Sequence, residues 1–284
     1  MMRRPFRVWI RRIAAVAIVL VAVYVVLAYM VLPVLWTHYE HEPGLAGRPR
    51  VTVSADDIPG DPLNVGLVGT AAEAIRALAA AGWYPADAVT LRTSIEIAGS
   101  VIFDRPYHHA PVSPLFYEGR KQDFAFEKPV GNSADRRNHV RFWRTLEHGA
   151  EGRPVFLGSA TFDHGSGISH YTGQITHHIG PDIDAERDLL IGDLAAANVL
   201  AQIYQVTGIG LTLLGRNGGG DPYYTDGEIT VGVVTAHASP RARAPEVLAN
   251  PPLVATKNAL FDQARQLING KADNQPEGVG NPAR

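Results

Sequence analysis

The longest apolar stretch of the sequence lies near its start, where residues 13–36 include no charged side chain. A helix rises about 1.5 Å per residue, so this stretch is longer than the hydrocarbon core of a bilayer, which is about 30 Å thick. It is also longer than the apolar core of a cleavable signal peptide. We therefore expect residues 13–36 to form one uncleaved transmembrane anchor.

The charges on the two sides of this stretch predict its orientation. Several arginines and no acid stand in residues 1–12, whereas Glu40 and Glu42 follow the apolar stretch. Positively charged flanks remain in the cytoplasm, so residues 1–12 should form a cytoplasmic N-terminus. The expected localisation is a single-pass protein of the cytoplasmic membrane, with its C-terminal domain periplasmic or extracellular.

Beyond the membrane, residues 37–62 are rich in proline, glycine and charge, and this composition predicts a linker. The apolar run 63–68 predicts a short strand. Thr70, followed three residues later by Glu73, has the spacing of a capping box and predicts the start of a helix. Apolar spacing predicts a second helix at residues 90–103.

Strands dominate the next part of the sequence, because apolar and polar residues alternate along it. Residues 139–146 form one predicted strand, and residues 154–162 form a second that can pair with it. The first strand has an apolar face of Val140, Phe142 and Leu146 and an opposite face of His139, Arg141 and Trp143.

An extended run then leads into an acid-rich helix start. Alternation places Ile175, His177 and Ile179 on one face of the run, toward the core, and His178 on the polar face. Gly180 and Pro181 end the extended segment. Asp182 is a suitable N-cap, and the apolar spacing that follows predicts a central helix.

The C-terminal part predicts a hairpin and a tail. Residues 208–214 and 228–236 read as two strands joined by the glycine-rich loop GRNGGGDPYYTDG. This loop lacks the spacing of a phosphate-binding loop and precedes a strand, so we expect a mobile hairpin tip. Residues 239–284 predict a proline-rich tail with one amphipathic helix near 256–268 and a disordered end.

Composition narrows the possible chemistry. The 284 residues contain no cysteine, which excludes a cysteine nucleophile, a disulfide and a cysteine-liganded zinc ion. The formal net charge of −2 argues against a nucleic-acid binder. A single domain at residues 63–238, between the linker and the tail, accounts for the remaining chain.

A metal site is one possible function of the histidines and acids. Imidazoles and carboxylates are common ligands of zinc and similar divalent ions. The candidate ligands are His139, Asp163, His178 and Asp182, with Asp184 or Glu186 as a possible base. The alternative is structural, because acids in a first helical turn stabilise the helix by complementing its dipole.

An anion site is the other possibility. Arginine binds phosphate or carboxylate through two parallel hydrogen bonds. The candidates are Arg120, Arg136, Arg137, His139 and Arg141, with Arg144 on the opposite strand face. The long preceding segment, with Tyr107, His108 and His109, could contribute to the same site. Alternatively, these arginines pair with neighbouring acids such as Asp123, Glu127 and Asp135.

Four stretches occur in an order typical of a known family: RPYHHAPVSPLFYEGRKQDFAFEKPVG, HVRFWR, GSATFD and TGQITHHIGPDIDAERDLL. Through them, residues 64–195 resemble the LssY C-terminal domain family of bacterial membrane proteins. The family pattern has Gly-Val-Gly after the aspartate of its TFD motif, whereas Asp163 is followed here by His164 and then Gly165-Ser166-Gly167. The resemblance implies a membrane context, often with multi-pass modules that this chain lacks, and it implies no established reaction.

These observations predict an α+β domain with a mixed or mostly antiparallel sheet packed by helices, and one N-terminal transmembrane helix. The leading functional hypothesis is a cell-envelope domain that binds an anionic lipid, polymer or protein through its arginine and histidine face. The alternative is a metal-dependent hydrolase that acts on a phosphoester or a similar envelope substrate.

Overall fold

The structure is a computed structural model that describes residues 4–86, 92, 115–131, 136–171, 173, 175–206 and 213–273. It contains two compact units, Met1–Glu40 and His41–Arg284. The predicted helix at 90–103, the residues Tyr107, His108 and His109, and the predicted disordered end lie almost entirely outside the described residues. The α+β class and the predominance of antiparallel strands are confirmed.

The first unit is helical from Arg4 to Tyr39. It consists of α1 (Arg4–Val26), a π-helical turn (Leu27–Val31) and α2 (Leu32–Tyr39). Pro33 has no N–H to donate to the preceding turn, and the helix widens into the π turn just before it. Within the described part of the chain, Val8–Tyr39 is the one helix long and apolar enough to cross a membrane.

The second unit begins inside the segment predicted as a linker. Its first elements are a 3₁₀ turn (Pro43–Leu45), β1 (Val51–Val53), β2 (Pro59–Pro62), β3 (Val65–Val68), α3 (Ala71–Ala80) and β4 (Tyr84–Pro85). Leu45 is fully buried, so residues 43–62 are largely part of the folded domain instead of a free linker. The capping box is present, because the Thr70 hydroxyl accepts from the Glu73 backbone N–H and the Glu73 side chain accepts from the Thr70 N–H.

The middle of the chain supplies the long strands. They are β5 (Phe116–Tyr117), β6 (Arg120–Lys121), β7 (Phe124–Pro129), β8 (Arg137–Leu146), β9 (Val155–Ile168) and β10 (Ile175–Ile179). As predicted, β8 and β9 form an antiparallel pair. The pairing places Arg137 opposite Asp163 and Arg141 opposite Ser159, so these side chains share one face of the sheet.

The last part contains the central helix and the remaining strands. The elements are α4 (Ile183–Ala196), β11 (Leu200–Val206), β12 (Leu214–Arg216), β13 (Pro222–Tyr224), β14 (Ile229–Val234), β15 (Glu246–Val247) and α5 (Pro252–Asp273). The predicted N-cap is confirmed, because a carboxylate oxygen of Asp182 accepts from the Ala185 N–H at 3.1 Å. The predicted tail helix is longer than expected.

The predicted closing hairpin is wrong. The predicted strand 228–236 is β14, which has β11 on one side and β3 on the other. Of its predicted partner strand, residues 208–212 lie outside the described residues and Leu214 belongs to β12. The glycine-rich loop instead contains its own small hairpin, in which β12 pairs with β13. Asn217 and Asp221 in this loop are buried, which places it in the folded domain and contradicts a mobile tip.

Both faces of the main sheet are covered. The sheet has nine strands in the order β15-β11-β14-β3-β9-β8-β7-β4, with β10 also paired to β9. On one face, Phe142 and Val140 pack with apolar residues of α3 and α4. On the other, Trp143 and Leu157 pack with residues of a small sheet, β2-β1-β5-β6. Contrary to the strict alternation predicted for β8, a register shift after Arg144 places Leu146 against this second cluster.

Candidate metal centre

A layer of buried polar side chains lies on the β8–β9 surface beside Trp143. Three come from β8 and three from β9, and each is at most 6% exposed: Arg137, His139, Arg141, Ser159, Thr161 and Asp163. Sequence alternation correctly placed the β8 residues together on one face. They are buried and not exposed, because residues from β2 and the glycine-rich loop cover this end of the sheet.

Carboxylates neutralise both arginines of this layer. Arg137 donates to Glu127 at 3.0 Å and to Asp163 at 3.4 Å. Arg141 donates to Asp61 at 3.3 Å. Since each buried guanidinium already has a carboxylate partner, this face does not present free positive charge to a large anionic surface.

The other two predicted anion-binding arginines lie apart from this layer. Arg120 is exposed and pairs with Asp123 at 2.9 Å, three residues away, as the structural alternative predicted. The Arg136 guanidinium lies 5.7 Å from the centre of the Phe162 ring, in a cation–π contact. The five predicted residues therefore do not form one anion site in the described structure.

His139 occupies the centre of the buried layer. Burial lowers its pKa well below the usual value, and the neighbouring Arg141, Arg137 and His177 lower it further. The ring is therefore neutral at pH 7. Its Nε2 atom has no hydrogen-bond partner within the described residues.

The pKa values of three carboxyl groups near this layer are raised, whereas that of His139 is lowered. Burial raises the pKa of Glu186 to about 7, and the nearby Asp182 and Asp163 add to the shift. Burial also raises the pKa of Asp61, although Arg141 opposes it. Asp184, the other predicted base, is fully buried and accepts hydrogen bonds from Thr225 and from the Asp226 N–H. Its pKa is raised to about 6, mainly by burial.

The structure does not gather the four predicted metal ligands. Asp182 caps α4 and also accepts from Arg265 at 2.6 Å, so it serves a structural contact. Asp163 pairs with Arg137, and His139 stays in the buried layer. His178 instead faces the glycine-rich loop, where its Nδ1 lies 2.6 Å from Oδ1 of Asp221.

His178 and Asp221 form a compact ligand set with His170. One ligand atom from each residue lies within 4.8 Å of the others. The His170 Nε2 to Asp221 Oδ1 distance is 3.9 Å, and the two imidazole centres are 5.6 Å apart. Metal–ligand distances of about 2.0–2.1 Å in a tetrahedron separate the ligand atoms by about 3.3–3.4 Å. The separations of the two imidazole nitrogens from Oδ1 of Asp221, 2.6 and 3.9 Å, lie on either side of that value.

Asn217 holds the loop that carries Asp221. Its side-chain oxygen accepts from the N–H groups of Gly219 and Asp221 at 3.0 and 2.8 Å. The Gly219 carbonyl in turn accepts from the His170 N–H at 2.8 Å, which ties the loop to the first histidine. The second carboxylate oxygen of Asp221 accepts from the Ile179 N–H at 3.1 Å. The carboxylate is thus oriented by contacts that leave Oδ1 directed at the two imidazoles.

Two glycines make room for the histidine rings. A Cβ atom at Gly167 would lie 2.2 Å from Nε2 of His178, so only glycine permits the ring to lie where it does. A Cβ at Gly220 would lie 2.7 Å from Cβ of His170, and its φ of +90° also favours glycine. Both positions belong to the segments that bring the ligand set together.

The comparisons with known proteins agree with the resemblance read from the sequence. The LssY C-terminus family matches residues 45–229. The chain belongs to this family. No curated protein and no solved structure matches the chain. All three residues of the ligand set lie inside the part of the chain that matches the LssY C-terminus family, whereas α5 lies outside it.

Sequence reasoning on this LssY C-terminus domain missed His170 and Asp221. The glycines of the loop predict a hairpin tip, and that pattern assigns no role to Asp221. The one available signal was an aspartate directly after Gly218-Gly219-Gly220, a place where a short backbone can approach other chain segments closely. Bringing that loop to β10 requires knowledge of the β12–β13 pairing, which periodicity did not predict.

Proposed function

We propose that this LssY C-terminus domain is a membrane-anchored, metal-dependent hydrolase whose ion is held by His170, His178 and Asp221. The observation that carries the proposal is the convergence of two imidazoles and one oriented carboxylate within 4.8 Å. Nitrogen and carboxylate ligands of this kind suit zinc and similar divalent transition metals. Zinc is the first ion to test.

Exposure supports a catalytic role over a purely structural one. The side chains of His170 and His178 are 64% and 31% exposed, whereas Asp221 is 8% exposed. Three protein ligands at a solvent-facing position leave a fourth position for water, as in catalytic zinc sites. His170, His178 and Asp221 would hold the ion, and zinc bound there would lower the pKa of such a water to about 7 and so supply a nucleophile at neutral pH.

A phosphoester substrate fits the charge beside the site. Arg216 is exposed, and its guanidinium donates to the Gly220 carbonyl at 2.7 Å, one residue from the ligand Asp221. An arginine in this position can stabilise a phosphate oxygen. In the proposed reaction, hydroxide would attack phosphorus, the bond to the leaving oxygen would break, and a proton from water would convert the leaving group to an alcohol.

The proposed location of the domain at the membrane indicates where a phosphoester substrate would be found. The single helix Val8–Tyr39 fits an anchor, and the arginine-rich flank supports a cytoplasmic N-terminus. We propose that the domain faces the periplasm or the cell exterior, where lipid headgroups and envelope polymers carry phosphoesters. Binding of an anionic partner by Arg137 and Arg141 receives less support, because these two side chains are buried and paired.

Metal content and turnover test the proposal together. The protein in detergent, loaded with zinc and dialysed, is analysed for bound metal and for release of p-nitrophenol from bis(p-nitrophenyl) phosphate. His178→Ala and Asp221→Asn should lose both metal and turnover. His164→Ala is the matched control, because His164 is an exposed histidine outside the ligand set, on β9, the strand that pairs with β10.

The outcomes separate the alternatives. Stoichiometric metal in the wild type and in His164→Ala, but not in the two ligand variants, supports the site. If the protein binds metal but hydrolyses no phosphoester, the metal site is supported and the hydrolase activity is refuted. Equal metal content in all four proteins would refute the ligand assignment. Arg216→Gln should raise KM with little change in metal content.

A further inference from the structure

The chain segments that carry His178 and Asp221 meet a few residues beyond these two ligands. Asp182 follows His178 by four residues in the sequence. Tyr224 follows Asp221 by three. Asp182 and Tyr224 form an isolated β-bridge, and the Tyr224 N–H donates to the Pro181 carbonyl at 2.8 Å. The separation of the two ligands therefore depends on this junction between their segments.

The C-terminal helix α5 contacts both sides of the junction through one residue. The side-chain oxygen of Asn269 accepts from the Tyr224 hydroxyl at 2.7 Å. Its side-chain nitrogen donates to Oδ2 of Asp182 at 2.9 Å. Asn269 thus connects the segment that follows His178 to the segment that follows Asp221.

Two further residues of α5 contact the same junction. Arg265 forms an ion pair with Asp182 at 2.6 Å. The Phe261 ring lies 6.5 Å from the Tyr224 ring, between centres. Successive members of the set Phe261, Arg265 and Asn269 are four residues apart, which places all three on one face of the helix. One face of α5 therefore holds the junction.

The ion pair between Arg265 and Asp182 is shielded from solvent. Its two side chains are 17% and 13% exposed, so salt and water weaken it less than they weaken an exposed surface pair. Oδ2 of Asp182 accepts from Arg265 and Asn269, while Oδ1 caps α4. Arg265 also pairs with Asp188 of α4 at 3.0 Å. Through these contacts α5 ties the junction to the central helix.

We propose that Asn269 and Arg265 are positioning residues of the metal centre. By holding the junction of the two segments, they set the separation of the ligands His178 and Asp221. The inference rests on the proposed function, since it requires that these two ligands bind the ion. Contacts that orient metal ligands from outside the coordination shell commonly change metal affinity by about 10–100-fold when they are removed.

Asn269→Ala tests the positioning role, with Asn258→Ala as the matched control. Asn258 also lies on α5 and also donates to the domain, at 3.0 Å, but its partner Gln205 belongs to β11, a strand that carries no ligand. Each variant is made in the full chain in detergent, and competition with a chromophoric chelator measures its zinc affinity. Asn269→Ala should bind zinc about tenfold more weakly or worse, and Asn258→Ala should bind it as the wild type does. Arg265→Met should weaken zinc binding in the same direction.

Hydrogen exchange of the metal-free proteins gives a second readout that needs no zinc. The Ile179 N–H donates to Oδ2 of Asp221 at 3.1 Å, so its exchange reports how firmly the two ligand segments are held together. The Tyr224 N–H reports on the junction itself. Mass spectrometry of peptides that cover these amides should show several-fold faster exchange in Asn269→Ala than in the wild type or Asn258→Ala. Peptides from β8 should be unchanged, which excludes a general loss of stability.

The outcomes separate this inference from the proposed function. Weaker zinc binding and faster exchange in Asn269→Ala, but not in Asn258→Ala, support the positioning role. Wild-type affinity and exchange in Asn269→Ala would overturn it, and so would equal changes in both variants, because these would assign α5 a purely structural role. The proposed function fails in a different way, when the wild type binds no zinc that His178→Ala removes. That result also overturns the positioning role, whatever the exchange shows.

Discussion

Replacing Gly167 with alanine is expected to weaken metal binding without removing any ligand. The new methyl carbon would lie 2.2 Å from Nε2 and 2.4 Å from Cδ2 of His178. Ordinary contacts of a Cβ atom begin near 3.4 Å, so the ring must move by at least about 1 Å. That movement breaks the 2.6 Å contact between Nδ1 of His178 and Oδ1 of Asp221.

The expected loss of zinc affinity can be estimated from the displacement of the His178 ring. Changes that disturb the orientation of a metal ligand typically cost about 10–100-fold in affinity. The loss in folding stability should be small, because the clash is with the end of a half-exposed side chain that can move toward solvent. Zinc competition with a chromophoric chelator measures the affinity, and thermal unfolding of the metal-free protein measures the stability.

Gly192→Ala serves as the control for a glycine-to-alanine change. A Cβ at Gly192 meets no atom within 4 Å, and the residue lies inside α4. Its affinity for zinc should equal that of the wild type, while its stability should rise by about 0.5–1 kcal/mol from helix propensity. If Gly167→Ala binds zinc within twofold of the wild type, His178 does not bind the ion from the position described here.

Two further changes test the packing of the domain. Burial acts to raise the pKa of Glu73, but hydrogen bonds from Thr70 and Arg153 outweigh it and lower the pKa to about 2. The ionised Glu73 carboxylate therefore stabilises the folded state above pH 4.5, and this stabilisation is lost as the pH falls toward 2. Glu73→Gln should lower the free energy of unfolding, measured in urea, by about 2 kcal/mol at pH 7 and by little at pH 2. A pH-independent loss would contradict the assignment. Arg187 forms two hydrogen bonds to Asp226, at 2.8 and 3.0 Å, in the interior. Arg187→Leu leaves that carboxylate unpaired and should cost about 3–5 kcal/mol in the same assay, and a loss below 1 kcal/mol would show that the pair is not buried in solution.

Local patterns predicted the elements that depend on nearby residues. The spacing of Thr70 and Glu73 predicted a capping box, and both reciprocal hydrogen bonds are present. Asp182 was identified as an N-cap from its place after Pro181, and it caps α4. Such features involve hydrogen bonds over three residues, so the sequence contains the whole determinant.

Features that depend on distant pairing were not predictable in this way. Alternation predicted the polar face of β8, but the burial of that face depends on residues distant in the sequence. Asp61 contacts Arg141, 80 residues away, and Asn217 contacts Asp61, 156 residues away. The same limit applies to the metal centre. His178 is a candidate from the sequence, yet its partner Asp221 lies 43 residues away in a loop whose strands, β12 and β13, pair with each other.

X-ray absorption at the zinc edge tests the central claim most directly. The zinc-loaded protein should show nitrogen and oxygen scatterers at about 2.0–2.1 Å, with the outer-shell pattern of two imidazoles. In His178→Ala, the ion should be absent. A spectrum without imidazole scattering, or one that His178→Ala leaves unchanged, would contradict a metal centre formed by His170, His178 and Asp221.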